Sequence, residues 1–252
     1  MLVRPILENA WDSMRIGMEY FQRERDYSSR KHAILTVFHA IELLLKEKLH
    51  RTNPMLIYKN IDKKIGGDSY TVGLDDALIR LDNAGVSLPK GQKDIVKRIQ
   101  ARRNRIEHHK YDHDPETDEL VVGEALKFVF YFSELVLDIN LSDHIDPSTI
   151  SLMQEKLFKY NEREALAESR FHRWAKDTWP EWDETKEDSP EQFEGTQDCP
   201  ICRQCWLIIG HHQTPLCFYC NASVNAAACD QCGRTYMNDE GCCNYDDEYE
   251  QN

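Results

Sequence analysis

Six consecutive residues, Arg103-Asn104-Arg105-Ile106-Glu107-His108, gather groups able to act on a phosphodiester. Asn104 and His108 stand four positions apart and share one helical face, with Arg103 next to it. Cleaving RNA without a metal takes one group to accept the proton of the ribose 2′-hydroxyl and another to protonate the departing 5′-oxygen. The negatively charged phosphorane between those steps needs a fixed positive charge. Histidine, with an unperturbed pKa of about 6.5, serves either proton transfer near neutral pH. Arginine stays charged and matches phosphate oxygens with a planar fork. His109 offers the same imidazole one residue on. Spacing of this kind is common by chance, and cations near a helix C-terminus are favoured by the macrodipole whatever the function.

The surrounding run is strongly basic. From Lys90 to Lys110 the bases are Lys90, Lys93, Lys97, Arg98, Arg102, Arg103, Arg105 and Lys110, against Asp94 and Glu107, a local charge of +6. Lys97, Arg98, Arg102 and Arg105 are the expected contacts to an RNA backbone.

A second chemistry lies near the other end of the chain, because all nine cysteines fall between Cys199 and Cys243. A secreted disulfide scaffold has no reason to leave its first 198 residues without one, so the clustering points to metal. Cys199-Pro-Ile-Cys202 and Cys217-Phe-Tyr-Cys220, 14 residues apart, have zinc-ribbon spacing: each pair sits on a tight turn, and a hairpin brings the two turns together. A second zinc is predicted at Cys229, Cys232, Cys243 and Asp246, with Cys242, His211 and His212 as alternative donors. Cys205 is left as an unligated thiol. No His-x-Glu stands beside these pairs to supply a general base, so both zinc ions are expected to be structural. Zinc binding would supply folding energy to a segment with little apolar content.

The elements that must position these groups are mostly helical. Through residue 176, apolar residues recur at spacings of three and four, with Gly and Pro confined to a few breaks. The first helix is expected from Pro5 to Tyr27 and the second, capped by Ser28 and Ser29, to about Arg51. Its apolar face is Ile34, Val37, Phe38, Ile41, Leu44, Leu45 and Leu49. A third helix spans about Leu74 to Ala84, ended by Gly85, and a fourth runs from Pro89 through the basic motif to about Tyr111. Asp112-His-Asp-Pro115 reads as a break, followed by a central apolar helix over Glu119 to Ile139. Asp146-Pro147 opens a polar sixth helix to about Lys176, whose later part, Tyr160 to Trp174, is expected to project from the bundle. The resulting division is a helical bundle over 1–145, a long polar helix over 146–176, an acidic linker over 177–198, a zinc ribbon over 199–246 and an acidic tail over 247–252.

The net charge of −13 argues against a nucleic-acid partner, but it is unevenly placed. Residues 1–176 hold 28 bases and 28 acids, whereas residues 177–198 hold nine acids against Lys186 alone. The N-terminus lacks the pattern of a secretory signal, and the densest apolar run, Phe128-Val-Phe-Tyr-Phe132, is far too short to span a membrane. The expectation is a cytoplasmic protein with no membrane partner.

Arg-Asn-x-x-x-His late in a helix of an all-α bundle resembles the signature of the HEPN superfamily of ribonucleases. The resemblance covers residues 1 to about 145, including His39-Ala-Ile-Glu42-Leu-Leu-Leu-Lys46 in the second helix. It implies a HEPN-like helical bundle with Arg103, Asn104 and His108 as catalytic residues and Glu42 near the cleft. It further implies a metal-independent endoribonuclease, a toxin or anti-phage effector, working as a homodimer whose two motifs face one cleft. The zinc module would then recognise RNA, or a protein partner that activates or neutralises the enzyme. Two other readings compete: a non-enzymatic binding protein using the basic helix and zinc ribbon, and a subunit whose acidic linker occupies its own basic helix.

Overall fold

The computed structural model describes residues 5–23, 26–62, 64–66, 69–108 and 114–178, and beyond them 196–197, 199, 204, 206–208, 215–220, 223–224, 226–228 and 235–237. Among these the chain is mainly helical: α1 (Ile6–Gln22), α2 (Tyr27–Thr52), α3 (Leu74–Asn83), α4 (Lys90–His108), α5 (Pro115–Tyr131) and α6 (Pro147–Thr178). Five short strands follow, β1 (Thr196–Gln197), β2 (Leu207–Ile208), β3 (Leu216–Cys217), β4 (Ala226–Ala228) and β5 (Thr235–Met237). No helix among the described residues is long and apolar enough to cross a membrane. The chain divides into two compact units, Met1–Tyr160 and Asn161–Asn252, and the division falls within α6.

In the first unit α2 is the central element. All seven of its expected apolar residues, from Ile34 to Leu49, are buried. Trp11, Met14, Met18 and Phe21 of α1 recur at spacings of three and four and are buried in the same core. The two helices approach closely at Gly17, where an added Cβ would lie 2.8 Å from Val37 Cγ2. A similar approach joins α5 to α6: a Cβ on Gly123 would lie 2.7 Å from Tyr160 Cβ and 3.2 Å from the Lys156 carbonyl oxygen.

Two helix starts differ from the sequence expectation, and both differ because an aspartate acts as the cap. Asp26, rather than Ser28 or Ser29, caps α2; the two serines supply the backbone N–H groups its carboxylate accepts, at 2.8 and 3.0 Å. Asp114-Pro115 lies ahead of the expected start at Glu119 and itself opens α5. Asp114 accepts from Thr117 N–H, and Pro115 occupies the first turn, where a missing N–H is harmless. At its far end α5 passes into one π turn, Phe132–Val136, before Asp138 redirects the chain with φ of +55°. Carbonyls left there are satisfied from α2, with Lys48 Nζ donating to Val136 O at 2.8 Å and Arg51 Nη1 to Leu137 O at 2.9 Å. Gly85 ends α3 with φ of +80°, as its position predicts.

In the second unit the later part of α6 carries a buried apolar stripe. Ala167, Phe171 and Ala175, at a spacing of four, are all buried. Phe218 meets Phe171 edge-on at 5.7 Å and Trp174 at 5.5 Å between ring centroids. Strands β1, β2 and β3 form a small antiparallel sheet, with Leu207 opposite Cys217, and β4 pairs antiparallel with β5.

Candidate functional site

Helix α4 is pinned from both sides. Toward α3, Lys93 Nζ pairs with Asp82 at 2.6 Å, and Gln100 Nε2 donates to Asp75 Oδ2 at 2.9 Å. Toward α5, Arg98 Nη2 lies 2.6 Å from Glu124 Oε1 and Arg102 Nη2 lies 2.8 Å from Asp118 Oδ1. Ile95, Val96, Ile99 and Ile106 fill the side that faces the core. The outward stripe is therefore Lys97, Ala101, Asn104, Arg105 and His108, of which Lys97, Ala101 and His108 are exposed.

This partition corrects the expected RNA surface. Arg102 is 7% exposed and Asp118 fully buried, so that guanidinium is an internal counter-ion and not a contact for a phosphate. Arg98 has the same role toward Glu124, whose side chain is 2% exposed. Both carboxylates come from the first and third turns of α5. Lys97 and Arg105 remain on the outward stripe.

The motif itself ends the helix. The His108 side chain is 66% exposed, one turn beyond Asn104. Arg103, five positions earlier, leaves the helix about 140° around from His108. Its side chain is 33% exposed, and the guanidinium lies 5.3 Å from the centroid of the Phe38 ring on α2. Nη1 donates to Asn104 Oδ1 at 3.1 Å, and Nη2 lies 2.7 Å from Glu107 Oε2. The same Glu107 oxygen is 3.8 Å from His108 Nε2, so one carboxylate stands between the cation and the imidazole. Sequence reasoning did not single out Glu107; its i, i+4 spacing from Arg103 was the available signal. Glu42 is half-buried and pairs with Lys46 at 2.6 Å, whose Nζ also donates to Thr71 Oγ1 at 3.0 Å. Those contacts direct the Glu42 carboxylate along α2. His109 and Lys110 lie outside the described residues.

The cysteine cluster is built by the second unit. Cys199 N–H donates to Gln204 O at 2.9 Å, and Phe218 N–H donates to Trp206 O at 3.0 Å as the chain enters the turn that ends at Cys220. Arg170 Nη1 of α6 donates to the carbonyl oxygens of Phe218 and Tyr219 at 3.1 and 3.4 Å, holding the Cys217–Cys220 turn from outside. Cys199, Cys217 and Cys220 thereby bring their sulfur atoms within 4.8 Å of one another, close enough to bind one metal ion. The Cys199–Cys220 separation is 3.8 Å. A tetrahedral zinc with bonds of about 2.3 Å sets its thiolates about 3.8 Å apart, so this donor set fits zinc. Cys202, Cys205, His211, His212, Cys229, Cys232, Cys242, Cys243 and Asp246 lie outside the described residues, as do most of the acidic linker and the tail.

No protein-family model, curated protein or solved structure matches the chain.

Proposed function

We propose that the chain is a metal-independent endoribonuclease that cleaves RNA by 2′-hydroxyl transesterification. One observation carries the reading: an exposed imidazole, His108, ends a helix fixed on both flanks, with an aligned amide and a guanidinium within the preceding two turns. In this reaction the 2′-oxygen bonds to phosphorus as the bond to the 5′-oxygen breaks. The products are a 2′,3′-cyclic phosphate and a 5′-hydroxyl. Arg103 holds the phosphate, Asn104 orients the guanidinium, and His108 moves a proton. One imidazole serves only one of the two transfers in a given step, and His108 of a second copy supplies the other in a homodimer. Lys97 and Arg105 guide the RNA backbone along the outward stripe.

Zinc, in this proposal, is held by Cys199, Cys202, Cys217 and Cys220 and does no chemistry on RNA. Bound there, it supplies folding energy to the strand-bearing unit. That unit selects the RNA or a regulatory protein partner.

Incubating the purified chain with total RNA in magnesium-free buffer, and mapping the ends produced, tests the reading. His108→Ala should reduce cleavage by about 10²-fold or more while leaving the fold intact. RNA binding without cleavage in the wild-type chain would favour a binding protein that uses the same basic stripe.

A further inference from the structure

The basic helix carries its own competitor for the phosphate. Arg103 has two polar partners, Asn104 at 3.1 Å and Glu107 at 2.7 Å, and Phe38 underlies it. The side-chain amide of Asn104 can rotate and present its NH₂ to an incoming oxygen. The Glu107 carboxylate cannot adapt in that way, because its oxygens only accept. With Glu107 in place, the pair has no net charge. A phosphate reaching the guanidinium would meet an anion already on one edge of the fork.

An ordinary surface pair of this spacing contributes little and constrains nothing. This one differs in position: its cation lies over the Phe38 ring and is ordered on a second side by Asn104, and its anion also stands 3.8 Å from His108 Nε2. We infer that Glu107 is a gating carboxylate: it occupies the phosphate seat on Arg103 until a phosphodiester displaces it. The inference rests on the ribonuclease reading for the role of Arg103. It concerns a different residue and a different measurable, the affinity for the RNA backbone before any bond is broken.

The displaced carboxylate is itself an anion close to the bound phosphate, so neutralising it should strengthen binding. At about 5 Å in a water-rich setting that repulsion corresponds to roughly a fivefold change in affinity. Freeing one cation for a phosphate should also steepen the dependence of log affinity on log salt by about 0.7 for a single strand.

The experiment uses the full chain and a fluorescent 2′-O-methyl oligonucleotide, which keeps the phosphodiesters but lacks the attacking hydroxyl. Affinities are measured over a salt series for wild type, Glu107→Gln, Arg103→Ala and the double variant. The expected result is that Glu107→Gln binds about fivefold tighter with a steeper salt slope, and that the gain vanishes in the Arg103→Ala background. With ribose RNA, the same substitution should lower KM. If wild-type binding depends on Arg103 but Glu107→Gln binds no tighter, or the gain survives Arg103→Ala, the gate is wrong and the ribonuclease reading stands. If wild type and Arg103→Ala bind alike, or neither Glu107 form binds, the phosphate seat itself is wrong and both fail.

Discussion

The Arg102 guanidinium lies 2.8 Å from the Asp118 carboxylate, and both side chains are buried between α4 and α5. Two charges taken out of water tolerate each other only as a pair. Asp118→Asn removes the carboxylate charge from beside a buried cation, so it should cost about 3–5 kcal/mol of stability. Lys97→Ala, one turn away and exposed, should change it by no more than about 0.5 kcal/mol. Urea unfolding midpoints check both. Replacing the pair together, Arg102→Met with Asp118→Leu, should recover much of the loss; a double variant as unstable as Asp118→Asn would show that the pair is not the source of it.

Close helix approach predicts an asymmetry between two glycines. At Gly123 a new methyl meets Tyr160 Cβ and a backbone carbonyl, neither of which can move without shifting α6. Gly123→Ala should therefore destabilise by about 1–3 kcal/mol. At Gly17 the obstacle is mainly a methyl group of Val37, and alanine's better helix propensity, about 1 kcal/mol, opposes the clash. Gly17→Ala should be the milder of the two by the same urea measurement, and equal costs would contradict the close approach at Gly123.

Acid titration should expose the cap of α6. Hydrogen bonds from the Ser148 hydroxyl, then from Thr149, hold the Asp146 carboxyl far below its ordinary value of 3.8. A carboxylate depressed on folding stabilises the native state fully above its unfolded pKa, near 3.9, and loses that contribution as pH falls toward the folded value. Wild type should thus melt above Asp146→Asn at pH 5 and 6, with the gap closing from about pH 4 downward. A gap unchanged from pH 6 to pH 2 would rule out the charged cap.

Metal removal should act on the second unit first. Its cysteines bind as thiolates, so a chelator, or acidification that protonates them, should release zinc. Trp174 and Trp206 belong to that unit and should report the change in fluorescence. Cys217→Ser should lower the bound zinc by one ion per chain. Full zinc content in that variant would remove Cys217 from the site.

Much of the helical layout was legible because burial has a period. The apolar face of α2 could be read residue by residue, and Gly85 marked the end of α3. The misread starts came from placing Asp26 inside the first helix and Asp114 in a break, when each aspartate satisfies the first N–H groups of the helix that follows it. Asp146-Pro147 was read correctly by the rule that Asp114-Pro115 also obeys. Arg98 and Arg102 were harder, because charge along a helix says nothing about which way each cation faces. Their partners lie on another helix, 26 and 16 residues later. At the cysteines, spacing indicated the cluster, but not the support that Arg170 gives its turn from α6.

The paired charges across α4 and α5 also constrain how sequences of this lineage can diverge. Exchanging Arg98 or Glu124 alone, or Arg102 or Asp118 alone, breaks a close ion pair between the two helices. Homologous chains should therefore keep or replace positions 98 and 124 together, and 102 and 118 together. Such linked substitutions would mark remote kin more reliably than overall identity does.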